Sequence, residues 1–153
     1  MKLKSILNEA KPKFEVKYAA SKRGKIEVKD LKGEIEFKNV RFSYTDDEEV
    51  LKGVSFKANP GETIAIVGAT GAGKSTVINL LNRFYEIDSG QILVDGIDIK
   101  DITLESLRSE IAVVLQNVFL FADTILANIN LSNPDISEED VINAAKQIGI
   151  HDF

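Results

Sequence analysis

Glu62-Thr63-Ile64-Ala65-Ile66-Val67, then Gly68-Ala69-Thr70-Gly71-Ala72-Gly73-Lys74-Ser75, then Thr76-Val77-Ile78-Asn79-Leu80-Leu81-Asn82-Arg83-Phe84 is the stretch from which the fold is read. Its middle part fits G-x-x-x-x-G-K-[ST] at every fixed position. The part before is apolar and β-branched, as a buried parallel strand should be, and the part after repeats apolar residues at helical spacing. Glycines at such a loop let the backbone wrap a phosphate with its N–H groups turned inward, and the following helix directs its positive end at the same anion. Lys74 is then expected to reach the β- and γ-phosphates of a nucleoside triphosphate and the Ser75 hydroxyl to bind Mg²⁺. A glycine-rich turn that binds nothing is the competing reading; the order strand, loop, Lys-Ser, helix speaks for the ligand.

Composition narrows the remaining possibilities. The chain has 153 residues, 44% hydrophobic and 28% charged, which suits one soluble domain with a sizeable core. It has no cysteine and one histidine, His151, so disulfide frameworks, thiolate metal sites, histidine-rich centres and a serine-type triad are excluded. A net charge of −5 and a pI near 5.0 argue against a general nucleic-acid or anionic-lipid surface. The local cluster Lys11, Lys13, Lys17, Lys22, Arg23 and Lys25 reads as a solvated linker. No apolar run approaches a membrane span and the N-terminus lacks the apolar core of a secretory signal, so the expectation is a soluble, cytosolic chain.

Away from the loop, residues 1–32 read as a short helix and a poorly specified connector, with order beginning near Gly33. Ile35, Phe37, Val40 and Phe42 partly alternate with polar residues, and so do Val54 to Lys57 beyond the acidic loop Thr45 to Glu49. These predict antiparallel strands leading to the turn Asn59-Pro60-Gly61. Gly90 to Ile99 reads as two short strands joined at Asp95-Gly96, followed by a helical turn over Leu104 to Arg108 and a strand from Ile111 to Leu115. Ser137 is the expected N-cap of a last helix, with Glu138, Glu139 and Asp140 in its first turn, an apolar stripe of Val141, Ala144, Ala145 and Ile148, and Gly149 as its stop.

Several ordered segments together carry a resemblance. Gly33 to Tyr44, Val50 to Phe56, the phosphate loop, Leu107-Arg108 through Val114-Leu115-Gln116, Leu120-Phe121, and Thr124-Ile125 through Asn128-Ile129 closely resemble the ATP-binding domain of ABC transporters of the exporter type. The resemblance runs through residues 33–153. It implies an α/β fold, the phosphate-loop NTPase core of an ABC-type ATPase with an N-terminal antiparallel β subdomain. The expected parts are a linker over 1–32, a β subdomain and loop strand over 33–67, the loop to the Q-loop over 68–116, and the start of a helical subdomain over 117–153. It implies ATP and Mg²⁺ as ligands, held by Tyr44, by Gly68, Ala69, Thr70, Gly71, Ala72, Gly73, Lys74, Ser75 and Thr76, and by Gln116.

Tyr44 matches the family's aromatic residue that stacks on adenine, a contact that needs no base-edge hydrogen bond; its alternative is a core tyrosine at a strand end. Gln116 matches the Q-loop glutamine, whose amide oxygen helps coordinate Mg²⁺ or orient water and whose loop contacts the membrane domain. By itself it would be a polar strand end. Asp95, after Ile92-Leu93-Val94, imitates the metal-binding aspartate of a second nucleotide motif, but Asp-Gly with an apolar stretch close behind reads as a hairpin. Asp30-Leu31-Lys32-Gly33 fits D-x-x-G on the wrong side of the loop, and no N-K-x-D follows, so a GTPase reading is weak.

Phosphoryl transfer to water also needs a group that positions the water and a partner for the developing charge. The L-S-G-G-Q signature, the Asp-Glu strand end and the switch histidine have no match here, and His151 precedes the place of the signature. No catalytic set is complete, so the isolated chain is expected to bind nucleotide without turnover, as a piece cut within the helical subdomain of a longer transporter. The resemblance implies two partners, a second nucleotide-binding domain in a head-to-tail dimer and a transmembrane domain, at the cytoplasmic face of a membrane, with no nucleic acid. Two other readings compete: a non-enzymatic nucleotide-binding or interaction module, and a phosphate-loop kinase or GTPase with unusual later motifs.

Overall fold

The structure, a computed structural model, describes residues 24–45, 48–114, 119–131 and 133–151. They fall into two compact units divided between Ala112 and Val113.

The first unit is built on a four-stranded antiparallel sheet, β1 (Ile35–Ser43), β2 (Glu49–Ala58), β3 (Ser89–Val94) and β4 (Ile97–Asp98), in the order β2-β1-β3-β4. In β1 the apolar set changes phase, odd at Ile35 and Phe37 and even at Val40 and Phe42, which a regular pleat cannot bury on one side. A bulge resolves this. Asn39 adopts φ 47°, the pairing slips between Phe37 and Val40 against β2 and between Lys38 and Arg41 against β3, and Phe37, Val40 and Phe42 all reach the core. Gly90 on β3 faces that bulge, where a Cβ would lie 2.5 Å from the carbonyl oxygens of Lys38 and Asn39. The hairpin forms where expected, with Asp95 at φ 48° and Gly96 at φ 80° between Val94 and its partner Ile97.

Helix α1 (Lys74–Leu81) packs Val77, Leu80 and Leu81 into a core shared with Phe37, Leu51, Ile92, Ile99, Ile102 and Leu107. It ends earlier than its apolar spacing predicts. Arg83 enters the left-handed region at φ 48°, its N–H bonds Leu80 O and the Phe84 N–H bonds Asn79 O, the paired closure that usually recruits glycine. The arginine is kept because its side chain, 1% exposed, donates from Nη1 to the carbonyls of Ile99 and Ile102 at 2.8 and 2.9 Å and from Nη2 to Glu86. The short helix α2 (Leu104–Ser109) is capped by Thr103 and buries Leu107.

Two expected strands are corrected. Neither 62–67 nor 111–114 lies in a ladder, and Leu115 falls outside the described residues. A strand exists only with a neighbour to bond, and among the described residues none pairs with either segment. Ile64, Ile66 and Val67 are accordingly 40%, 39% and 87% exposed, and Val114 97%. The connector differs too: described from Gly24, it is bound to the body as a strap. The N–H groups of Lys25 and Ile26 donate to Asp101 O, Thr103 N–H donates to Ile26 O, and the Ser106 hydroxyl accepts from Val28 N–H and donates to Val28 O. Leu31 N–H donates to Glu110, and the N–H groups of Lys32 and Glu34 donate to the two oxygens of Asp95. The expected short helix near the N-terminus, and all of the basic cluster except Lys25, lie outside the described residues.

In the second unit, α3 (Ile125–Asn130) is capped by Thr124, and Asn128 ties its side chain to both the N–H and the carbonyl of Phe121. Helix α4 (Glu138–Gln147) opens with a reciprocal box between Ser137 and Asp140. It closes on Gly149 at φ 72°, with Gly149 N–H bonded to Lys146 O and Ile150 N–H to Ala145 O, as the sequence predicts. No described helix is long and apolar enough to cross a membrane.

Candidate functional site

The glycine loop delivers the chain into α1 through Gly73, which sits at the N-cap with φ 83°. Two constraints demand glycine there. The conformation is left-handed, and a Cβ would stand 2.7 Å from Leu51 Cδ2 and 3.2 Å from Val50 Cγ1. Strand β2 therefore presses directly on the start of the helix and fixes its direction. Ala72 N–H closes the turn onto Ala69 O at 3.2 Å, and Gly71 is also left-handed, at φ 85°.

The helix that follows is different from the others. Thr103, Thr124 and Ser137 each cap their helix with a side-chain oxygen, whereas α1 has no side-chain cap and no acidic residue in its first turn. An uncapped helix start offers its first N–H groups and the positive end of the dipole to an outside acceptor. Lys74 Nζ lies over the same loop, donating to the carbonyls of Gly68 at 2.9 Å and Ala69 at 2.7 Å. Ser75 is exposed beside it. Among the described residues no cluster of three His, Cys, Asp or Glu side chains could hold a metal. The donor set fits Mg²⁺ only in the way that ion usually binds with nucleotides, through one protein oxygen, phosphate oxygens and water.

Thr76 is buried, 4% exposed, and its hydroxyl is bonded to the Tyr44 hydroxyl at 3.1 Å. Tyr44, half-buried just past the end of β1, also meets Phe42 edge-on at 4.8 Å between centroids and Tyr85 at 5.0 Å. The structure thus brings Tyr44, Lys74, Ser75 and Thr76 to one end of α1, while Gln116 lies outside the described residues. The sequence had not pointed to Tyr85 or to the Tyr44–Thr76 bond, since partners 32 residues apart leave no local signal. Asp95 is, as read, a hairpin residue: both carboxylate oxygens accept strap N–H groups, at 2.8 and 2.6 Å. Asp30 to Gly33 belongs to the strap, and His151 is exposed. The Lys57 pKa is raised by its hydrogen bond to Glu34, and the Asp140 pKa is lowered by its bonds from Ser137.

An antiparallel sheet beside a glycine loop that feeds an uncapped helix gives this unit an end of α1 open to an anion. Residues 51–153 match the ABC transporter family, and the chain belongs to it. It is 51% identical over 135 residues to human "ATP-binding cassette sub-family B member 6", covering 82% of this chain and 16% of that protein. It is 49% identical over 120 residues to "ABC transporter B family member 24, mitochondrial" of Arabidopsis thaliana, covering 78% and 18%. Among solved structures, a bacterial Atm1-family ABC exporter with ATP bound superimposes with a TM-score of 0.77 at 38% identity, over 98% of this chain and 26% of that one. The chain thus spans less than a fifth of the length of these curated relatives.

Proposed function

We propose that these residues bind MgATP as part of the ATPase domain of an ABC exporter, at the cytoplasmic face of a membrane. One observation carries this reading most directly: α1 alone among the described helices opens without a side-chain cap, at a glycine the neighbouring strand leaves no room to replace, with a lysine over the loop. Lys74 would exchange its two carbonyls for β- and γ-phosphate oxygens. The N–H groups of Gly68 to Thr76 would line the phosphates, Ser75 would supply the hydroxyl to the metal, and Tyr44 would stack on the base. Gln116 is assigned to Mg²⁺ or its water. Bound Mg²⁺ would neutralise phosphate charge.

Turnover is a separate matter. The sequence carries no match to the family's signature, catalytic glutamate or switch histidine, so we assign binding to these residues and hydrolysis to a complete site. That site would be formed with a second nucleotide-binding domain and coupled to a transmembrane partner. The test compares MgATP with inorganic triphosphate by calorimetry. Tyr44→Ala is expected to weaken ATP by about 1 to 3 kcal/mol and leave triphosphate nearly unchanged. Equal losses would make Tyr44 a packing residue. Phosphate release by the chain should not exceed that of its Lys74→Ala variant; robust release that vanishes in the variant would falsify the division between binding and turnover.

A further inference from the structure

We propose that Thr76 and Tyr85 are positioning residues that hold the Tyr44 ring at a set place relative to the phosphate loop before nucleotide arrives, an inference that rests on the base-stacking reading above. The contacts reach Tyr44 from both ends of α1. Thr76, in the first turn and 4% exposed, holds the hydroxyl at 3.1 Å. Tyr85, beyond the last turn, meets the ring at 5.0 Å and 89°, and Phe42, fully buried, meets it at 4.8 Å and 84°. Tyr85 is itself placed by the way α1 ends, since Arg83 turns the chain at φ 48° while its guanidinium is anchored on Ile99 and Ile102.

A phenol ring held at its oxygen and against two rings that stand perpendicular to it has few orientations left, and ordering it costs little when a purine arrives. The helix that would receive the phosphates is the same helix that holds the ring. Base platform and phosphate loop are therefore one rigid element, and the distance between them is set by α1 and not by loop motion. The Thr76 hydroxyl serves the ring here, which is a different task from lining the phosphates.

The experiment titrates the 153-residue chain and its variants with MgATP and, separately, with magnesium triphosphate. Thr76→Val, close in shape and lacking the hydroxyl, should weaken ATP about three- to tenfold and triphosphate much less. Tyr44→Phe should do the same, and the double variant should lose no more than either single one, because both remove one bond. Thr76→Ser should restore ATP affinity, and Tyr85→Leu should lower it selectively. In the ligand-free chain, Thr76→Val should shift the Tyr44 ring resonances in NMR spectra, which reads positioning without any nucleotide. Equal losses for ATP and triphosphate in Thr76→Val, effects that multiply in the double variant, or unmoved ring resonances overturn the proposal. Failure of the underlying reading looks different: Tyr44→Ala then treats both ligands alike, and the positioning role falls with it.

Discussion

Lys74 is already satisfied in the ligand-free loop, its ammonium resting on two carbonyls of the chain it would help fold around a phosphate. Binding is therefore an exchange of neutral acceptors for charged ones, and the gain is the difference between the two. Hydrogen bonds to charged groups contribute about 1.5 to 3 kcal/mol, so Lys74→Ala should weaken MgATP by about that amount in calorimetry, with little change in Tm. Arg83 shows how a residue can be invisible in sequence. It sits in an apolar helical run with no glycine or proline to mark a stop, and only its contact with carbonyls 16 and 19 residues away explains why the helix ends there. Arg83→Ala leaves those buried carbonyls without their donor and should cost about 2 to 5 kcal/mol in urea unfolding. Arg83→Gly should be milder than Arg83→Ala by about 1 kcal/mol, because glycine removes the strain of the left-handed turn.

Elements were legible where their signals are local. The Asp95-Gly96 hairpin, the Ser137 cap and the Gly149 stop each depend on residues adjacent in sequence, and each forms as read. The imperfect alternation of β1 was also visible, but the bulge that repairs it is a pairing event, and only the partners β2 and β3 reveal where the slip falls. Helix α4 gives a pH prediction. Its Asp140 carboxyl is held below the usual carboxylate range, first by the Ser137 hydroxyl and then by the Ser137 N–H. With the folded pKa depressed, the cap's stabilisation is complete above the ordinary carboxylate pKa and is lost as pH falls through the depressed one. Amide shifts of 138–141 followed through acid titration should show that loss in the parent chain and not in Asp140→Asn. Ser137→Ala should fray the helix at neutral pH, visible as faster amide exchange in its first turn.

At the scale of the molecule, the loop and the sheet beside it could be read because each is a local pattern, and the family's ordered segments extended that reading. Strand character at 62–67 and 111–114 could not be, since apolar, β-branched sequence states a preference that only a neighbouring strand can realise. The strap was equally hidden. Its acceptors Asp95, Ser106 and Glu110 lie 61 to 79 residues from the N–H groups they hold. These clasps are separate, so Glu110→Ala should speed hydrogen exchange at Leu31 while leaving Lys32 and Glu34 protected, and Asp95→Ala should do the reverse. Loss of protection along the whole strap in either variant would show instead that it is a single cooperative piece.

Independent clasps also decide how the segment carries tension. A ladder such as β1 with β2, drawn lengthwise, spreads a pull over all its bonds together and gives way abruptly. The strap, drawn from its Gly24 end, would load the bonds to Asp101 and Thr103 first, then Ser106, then Glu110, then Asp95, each bearing the pull only after the one before has opened. Such a tether yields in small steps, like a row of press-studs, and would absorb a displacement arriving from the preceding residues before any of it reached the sheet.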